Sequence, residues 1–402
     1  MLTSLTMGRT DEISAIEGVA GAAPLTLPRE VTDRLITPAL VIDLARVRAN
    51  VARVLEVIGD PQRWRPHVKS TKSPLVWREL VGAGVRRFKC ATLREARELC
   101  ALLEATCTEA EAGDVLLAHP AHGPTLAGLG TLAATHPRVR LSILSEEPAH
   151  AASVPEPLGI WLDLDPGDHR TGLPLGRHEE ALAIAHAAGP RLRGVHFYEG
   201  RHHQVDREER RRACFASHDA LLENLAALRA AGILPAELVT SGTPGFRSAL
   251  AHPGLQALEG VHHQVSPGTV VLHDARSHEQ EPDLGLTPAA VVASRVVSRP
   301  TPTRLTCDAG SKSVAAEAGD PCALVLGRPG LHALAPSEEH LPFEVRSGAA
   351  PTRGELLQLV PRHVCPTVNL AEAALFLDGD EVLGVHPIPA RAHDLLLEEP
   401  TP

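Results

Sequence analysis

Aromatic residues are scarce in this chain. Phe, Trp and Tyr make up 2% of its 402 residues, and there is a single tyrosine, Tyr198. The core must therefore be built mainly from Leu, Val and Ala. Basic charge is not in excess either. Lys and Arg number 39 against 49 Asp and Glu, a formal net charge of −10. That balance argues against a surface that coats nucleic acid. No stretch of roughly 18 uninterrupted apolar residues occurs, so no membrane-spanning helix is expected. The seven cysteines (Cys90, Cys100, Cys107, Cys214, Cys307, Cys322 and Cys365) are an odd, scattered set. They fit a reducing cytoplasm better than a secreted disulfide scaffold. The first thirty residues mix Asp11, Glu12 and Glu17 with small residues. They lack the basic-then-apolar order of a signal peptide.

What is present is an ordinary globular balance, 44% apolar and 22% charged, enough to bury a sizeable core. Residues 1–34 are poorly patterned and read as an N-terminal segment, loose or packed on a later β domain. The apolar run Leu40-Val41-Ile42 then reads as a strand. Asp43 follows as a helix N-cap, with Leu44, Val47, Val51, Val54, Leu55 and Ile58 at helical spacing and Gly59 as the stop. Ser73-Pro74 opens a second helix. Arg87–Cys90 reads as a strand, and Thr92 with Glu95 forms a capping box. Further strands are expected at 115–118, 140–144, 159–164, 193–198, 237–240 and 262–265. The clearest helix is Glu208–Ala231. About eight such alternations over roughly 230 residues predict parallel strands joined by right-handed crossovers. The length suits a (β/α)8 TIM-type barrel over 35–270. A doubly wound open sheet is the alternative. Beyond residue 270, short apolar runs at 291–297, 304–307, 323–326, 343–345, 356–360 and 381–385 alternate with Gly, Pro and charged turns. They predict an antiparallel β domain over 271–402.

Several segments carry residue types suited to chemistry. Arg65-Pro66-His67-Val68-Lys69-Ser70 falls where a barrel strand would deliver side chains to the active-site mouth. A lysine there can form a Schiff base, and His67 stands two residues before it. An ordinary surface lysine is the plainer reading. Asp165–Gly172 is a turn-rich loop containing Arg170. Tyr198 ends a strand at the presumed catalytic face. Ser241-Gly242-Thr243-Pro244-Gly245 and Ser266-Pro267-Gly268-Thr269 could each offer N–H groups and hydroxyls to a phosphate. In an extended segment His363 and Cys365 share one face. An imidazole and a thiol suit a divalent metal, zinc first. The doublets His202-His203 and His262-His263 read as structural.

Taken together and in order, these pieces resemble a known family, the D-threonine aldolase and D-serine dehydratase group with an alanine-racemase-type barrel. The similarity is carried by Ile36–Asp43, Arg65–Lys69, Phe88–Thr92, Ser241–Pro244, Ser266–Thr269, Cys307–Lys312, Glu338–His340 and Pro361–Asn369. It spans about residues 35–390. The resemblance implies pyridoxal 5'-phosphate as cofactor, bound through Lys69. It implies Arg170 on the ring hydroxyl and Tyr198 beside cofactor and substrate. Ser241, Gly242, Thr243, Gly268 and Thr269 would hold the phosphate, and Lys69, Tyr198 and His67 would be the catalytic set. His363 and Cys365 would bind a divalent metal, with Zn ahead of Mn or Mg. The family usually carries a histidine where this chain has Thr71.

The expected reaction is a metal-dependent aldolase cleavage of a D-β-hydroxy-α-amino acid to glycine and an aldehyde. The alternative is a dehydratase giving a 2-oxo acid and ammonia. The family's aldolases often carry aspartate at the position of Cys365 and its dehydratases cysteine. The segments Phe88–Thr92 and Glu338–His340 point instead to the aldolase branch. A racemase of this fold takes a tyrosine from its β domain, and no tyrosine follows residue 198 here. A non-catalytic cofactor-binding protein is the fourth reading. The expected partners are a small D-amino acid and a second copy of the chain in a cytoplasmic homodimer, with no nucleic acid and no membrane.

Overall fold

The computed structural model describes residues 18–204 and 206–396. Of the expected N-terminal segment, residues 1–17 lie outside the described residues. The chain divides into two compact units. Among the described residues, one comprises Leu55–Lys69, Leu80–Gly268 and 392–396. The other comprises 18–54, Ser70–Glu79 and Thr269–Arg391.

The first strand, β1 (Ala39–Asp43), does not belong to the parallel sheet of the barrel. It pairs antiparallel with Val291 and its neighbours and parallel with Leu375 and its neighbours. The strand read at 40–42 as the opening of the barrel is thus a strand of the other sheet. The helix Leu44–Ile58 follows, as its apolar spacing predicts. Gly59 ends it at φ +83°, in the left-handed region that favours glycine.

The parallel sheet holds β2 (Arg87–Cys90), β3 (Gly113–Leu117), β4 (Val139–Ser145), β5 (Gly159–Asp165), β6 (Leu173–Pro174), β7 (Leu192–Phe197), β8 (Glu237–Thr240) and β9 (His262–Val265). Its order is β2-β3-β4-β5-β7-β8-β9, with short β6 beside β5. The two ends of this order are joined by the segment 64–67. Trp64 bridges Val265 and His67 bridges Lys89, both in parallel sense. The Arg65 N–H donates to the Val265 carbonyl, and the Lys89 N–H to that of Pro66, each at 2.9 Å. Segment 64–67 is therefore the eighth stave, the place the sequence reading gave to 40–42. Helices fill the crossovers. The capping box is formed as expected, with the Glu95 N–H donating to Thr92 Oγ1 at 3.0 Å.

The N-terminal ends of the staves enclose a buried ion cluster. Arg65 is fully buried, 2.5 Å from Asp114 and 3.4 Å from Glu237. It also donates to Gln264 Oε1 at 2.7 Å and stacks 5.0 Å from the Trp161 ring. Every charge there has a partner, which is what burial of ions requires.

In the other unit β1 joins β10 (Ala290–Thr301), β11 (Arg304–Cys307), β12 (Ala323–Val325), β13 (Leu331–Ala333), β14 (Leu341–Val345), β15 (Leu356–Pro361), β16 (Ala373–Asp378) and β17 (Glu381–Pro387). All pairs but β1 with β16 are antiparallel. Val19, Ala20 and Leu25 are buried in the same core as Val41, Val291 and Leu375.

Candidate active site

The C-terminal ends of the parallel strands carry several of the residues singled out from the sequence. Tyr198 directly follows β7. The Arg170 guanidinium lies 5.0 Å from its ring centroid, within cation–π range. Arg170 is delivered by a tight loop. There Asp165 Oδ1 accepts from the backbone N–H groups of Gly167, Asp168 and His169 at 2.9, 2.8 and 3.1 Å. Gly242 backs the ring closely. A Cβ added there would stand 2.8 Å from Tyr198 Cε2. Lys69 sits on the short 3-10 turn Val68–Ser70, immediately after the closing stave, and is exposed. Its backbone N–H points to His67 Nδ1 at 3.4 Å.

The Ser241 loop is held from behind. Ser241 adopts φ +52°. Its N–H donates to Glu199 Oε2 at 3.2 Å, and its hydroxyl donates to Glu199 Oε1. His218 Nε2 lies 3.0 Å from the same carboxylate. Burial alone would raise the Glu199 carboxyl. The charge and hydrogen bond of His218, with the Ser241 hydroxyl, outweigh it and hold the group at about 2. Ser241 thus turns its donors to an ionised carboxylate, and Gly242 turns its face to Tyr198. Gly268 is buried in the loop after β9, where the Pro267 carbonyl accepts from Trp64 Nε1 at 2.9 Å. Thr269 opens a 3-10 turn, and its hydroxyl accepts from Ser277 at 3.1 Å.

The site also contains groups that the sequence reading passed over. Lys89 of β2 is 2% exposed, and its Nζ lies 5.0 Å from the Tyr198 ring centroid. His196 and Asp163 stand beside it. The available signal was a polar residue at an alternate position inside an apolar strand: Lys89 in RFKC, Asp163 in GIWLDLD, His196 in LRGVHF. Three of the four histidines in the doublets find hydrogen-bond partners for their side chains. His202 pairs with Ser217, His262 with the Gln62 carbonyl and His263 with Thr240. Thr71, where the family has histidine, accepts from Trp77 Nε1 at 2.7 Å.

His363 and Cys365 belong to the other unit. They are not on one extended segment, because His363 is the N-cap of the helix Val364–Leu370 and Cys365 lies in its first turn. The shared-face argument from strand alternation therefore does not hold for this pair. His363 Nδ1 lies 2.5 Å from Glu317 Oε1. Among the described residues, no three His, Cys, Asp or Glu side chains are grouped to enclose an ion. A nitrogen donor held by a carboxylate, plus a sulfur donor, is still a chemically suitable partial set for zinc.

Fold and site together define an α/β-barrel protein with a lysine at the mouth of its closing stave, coupled to a domain of mostly antiparallel strands. The family described as "Alanine racemase, N-terminal domain" matches residues 42–275, and "Putative serine dehydratase domain" matches residues 289–377. D-threonine aldolase of Arthrobacter sp. is 30% identical over 396 residues, covering 94% of this chain and 98% of that protein. The chain belongs to this family of alanine-racemase-type barrel proteins that includes D-threonine aldolase. The crystal structure of D-threonine aldolase from Filomicrobium marinum superposes with a TM-score of 0.77 at 25% identity, over 92% of this chain and 99% of that one. D-threo-3-hydroxyaspartate dehydratase from Delftia sp. gives 0.73 at 25% identity, over 90% and 99%. A cysteine-to-alanine mutant of a D-threo-3-hydroxyaspartate dehydratase, described as in the metal-free form, also gives 0.73 at 25% identity.

The residues present fit a pyridoxal phosphate. The cofactor needs a nucleophilic amine, a cation for its ring oxygen and a surface for its ring. Lys69, Arg170 and Tyr198 are groups of those kinds, and a side chain at Gly242 would crowd the Tyr198 ring.

Proposed function

We propose that this protein is a pyridoxal-phosphate- and metal-dependent lyase of the D-threonine aldolase type, splitting a D-β-hydroxy-α-amino acid into glycine and an aldehyde. The observation that carries the reading is the end-to-end match to D-threonine aldolase. The gathering of Arg170, Tyr198 and Gly242 at the strand ends supports it.

When bound, the cofactor supplies an electron sink, and a divalent metal supplies a Lewis acid for a substrate oxygen. The chain supplies the rest. Lys69 is the amine that holds the cofactor and takes or returns a proton at its Nζ. His67 lies beside the Lys69 backbone and helps fix that turn. Arg170 balances anionic charge at the ring oxygen, and Tyr198 orients the ring and excludes water from one side. Gly242 and Thr243, with Ser241 anchoring their loop and Gly268 and Thr269 on a second, would receive the phosphate. His363 and Cys365 would hold the metal, Zn before Mn or Mg, with Glu317 orienting the imidazole. Seven buried cysteines with no disulfide among the described residues agree with a reducing cytoplasm, and a homodimer belongs to the same reading.

Cys365 favours a second reading, the dehydratase, since cysteine at this position resembles the dehydratases of the family more than its aldolases, and a D-threo-3-hydroxyaspartate dehydratase is 32% identical over 252 residues. A product assay separates the two. Protein loaded with pyridoxal phosphate and Zn2+ or Mn2+ is incubated with D-threonine, D-serine and D-threo-3-hydroxyaspartate. Glycine plus aldehyde is the expected outcome with D-threonine. A 2-oxo acid plus ammonia from the other substrates would transfer the assignment to the dehydratase. Lys69→Ala should abolish both products and the visible absorption band of the bound cofactor.

A further inference from the structure

The reading above leaves Lys89 without a task, yet its setting is costly for a lysine. At 2% exposed, an ammonium must find partners or give up its proton. Lys89 Nζ lies 3.4 Å from His196 Nε2. His196 Nδ1 lies 2.7 Å from Asp163 Oδ1. With Asp163 accepting from Nδ1–H, Nε2 turns its lone pair to the lysine. Asp163 Oδ2 is buried and has no hydrogen-bond partner among the described residues. The three side chains come from three different staves, β2, β5 and β7. Lys89 also faces the ring of Tyr198 at 5.0 Å.

The charged groups facing Lys89 are Lys69 and Arg170, which oppose its protonation, and Asp163 and Glu199, which favour it. Burial is the largest influence, and the balance brings the amine down from 10.5 to about 7. His196 is itself held below its ordinary value, by burial and then by Lys89. An amine in this setting changes charge within the working range of most enzymes.

We propose that Lys89 is a positioning residue of this site: carried by His196 and Asp163, it gains or loses a proton and so switches the charge presented to the cofactor linkage on Lys69. The proposal rests on the pyridoxal reading. Its physics is like-charge repulsion between Lys89 and a protonated linkage on Lys69, two residues beyond the His67 that bridges Lys89. With Lys89 charged, the protonated cofactor–lysine linkage is destabilised. With Lys89 neutral, the linkage keeps its proton to higher pH.

The test is a spectroscopic pH titration of the holoprotein. Wild type, Lys89→Met and Lys89→Arg are loaded with pyridoxal phosphate. The visible band is followed from about pH 5 to about pH 10. The methionine is never charged and the arginine always is. Lys89→Arg should move the midpoint to lower pH and Lys89→Met to higher pH, each by roughly half a unit to one unit. A merely structural role would loosen the cofactor or shift both variants the same way. Shifts in one direction, or unchanged midpoints with the band intact, would overturn the proposal. Should neither variant fold, His196→Gln removes the ring nitrogen that accepts from Lys89 and should raise the midpoint. An unmoved midpoint there overturns the proposal equally. If wild type shows no visible band with pyridoxal phosphate, and borohydride fixes no cofactor to Lys69, the pyridoxal reading itself fails and this one with it. A normal band with unchanged titration removes only the role of Lys89.

Discussion

Cys365 is one sulfur atom, and in the proposed site the choice of metal would turn on it. A thiolate beside an imidazole suits Zn2+, whereas a carboxylate is a harder ligand that suits Mn2+ or Mg2+. Cys365→Ala should lose bound metal while keeping the cofactor's visible band, checked by elemental analysis of dialysed protein. Cys365→Asp should move preference from zinc toward manganese. Glu317→Ala, which frees His363 Nδ1 from its carboxylate, should weaken metal binding about 10- to 100-fold. Metal content and activity unchanged in all three would end the proposed role of this pair. At this scale the sequence spoke clearly where a residue was odd for its segment, such as the lone Tyr198. It stayed silent where a partner sat far along the chain. Glu317 is 46 residues from His363, and nothing local joins them.

Elements were legible where their signals were local. The helix that Gly59 ends, the capping box at Thr92 and the strands at 237–240 and 262–265 all follow from spacing, caps and short apolar runs. Pairing was not. An apolar run with a helix behind it, as at 40–42, looks the same in either sheet. Its partners Val291 and Leu375 decide the matter. The closing stave, Trp64–His67, was hidden for a related reason: it makes two isolated bridges and no continuous ladder, so little apolar run was required of it. The loop after β8 allows a prediction at this scale. Gly242→Ala places a methyl 2.8 Å from Tyr198 Cε2. The ring or the loop must then give way, at about 1–3 kcal/mol. Cofactor affinity should fall about tenfold or more, measured by spectroscopic titration of the cofactor-free protein. Unchanged affinity would show that the loop does not brace the ring.

The whole molecule should carry the signature of its buried charges in its stability. Glu199 is held at about 2 in the fold, against 4.5 ordinarily. Burial alone would raise it; His218 and Ser241 reverse that. Its stabilisation is therefore complete above about pH 4.5 and is lost as pH falls toward 2. Lys89 is a charge the fold disfavours, yet its slope has the same sign as that of Glu199. Between about 7 and 10.5 the unfolded amine holds a proton that the folded one has released. Stability from this group therefore rises with pH across that window. In cofactor-free protein, urea midpoints should climb above pH 7, and Lys89→Met should flatten the climb and stabilise the chain below it. A climb that persists in the variant would assign the pH dependence elsewhere. The ring of staves has one further consequence. Seven staves are locked to their neighbours by two or more consecutive register pairs, while the eighth hangs on a single bridge at each side, Trp64 to Val265 and His67 to Lys89. Lys69 follows directly on this seam. The amine on which the proposed chemistry would turn is thus carried on a short turn just past this seam, and side chains more than ladder bonds hold the seam: Trp64 and Arg65 are fully buried, and Arg65 is tied to Asp114, Glu237 and Gln264.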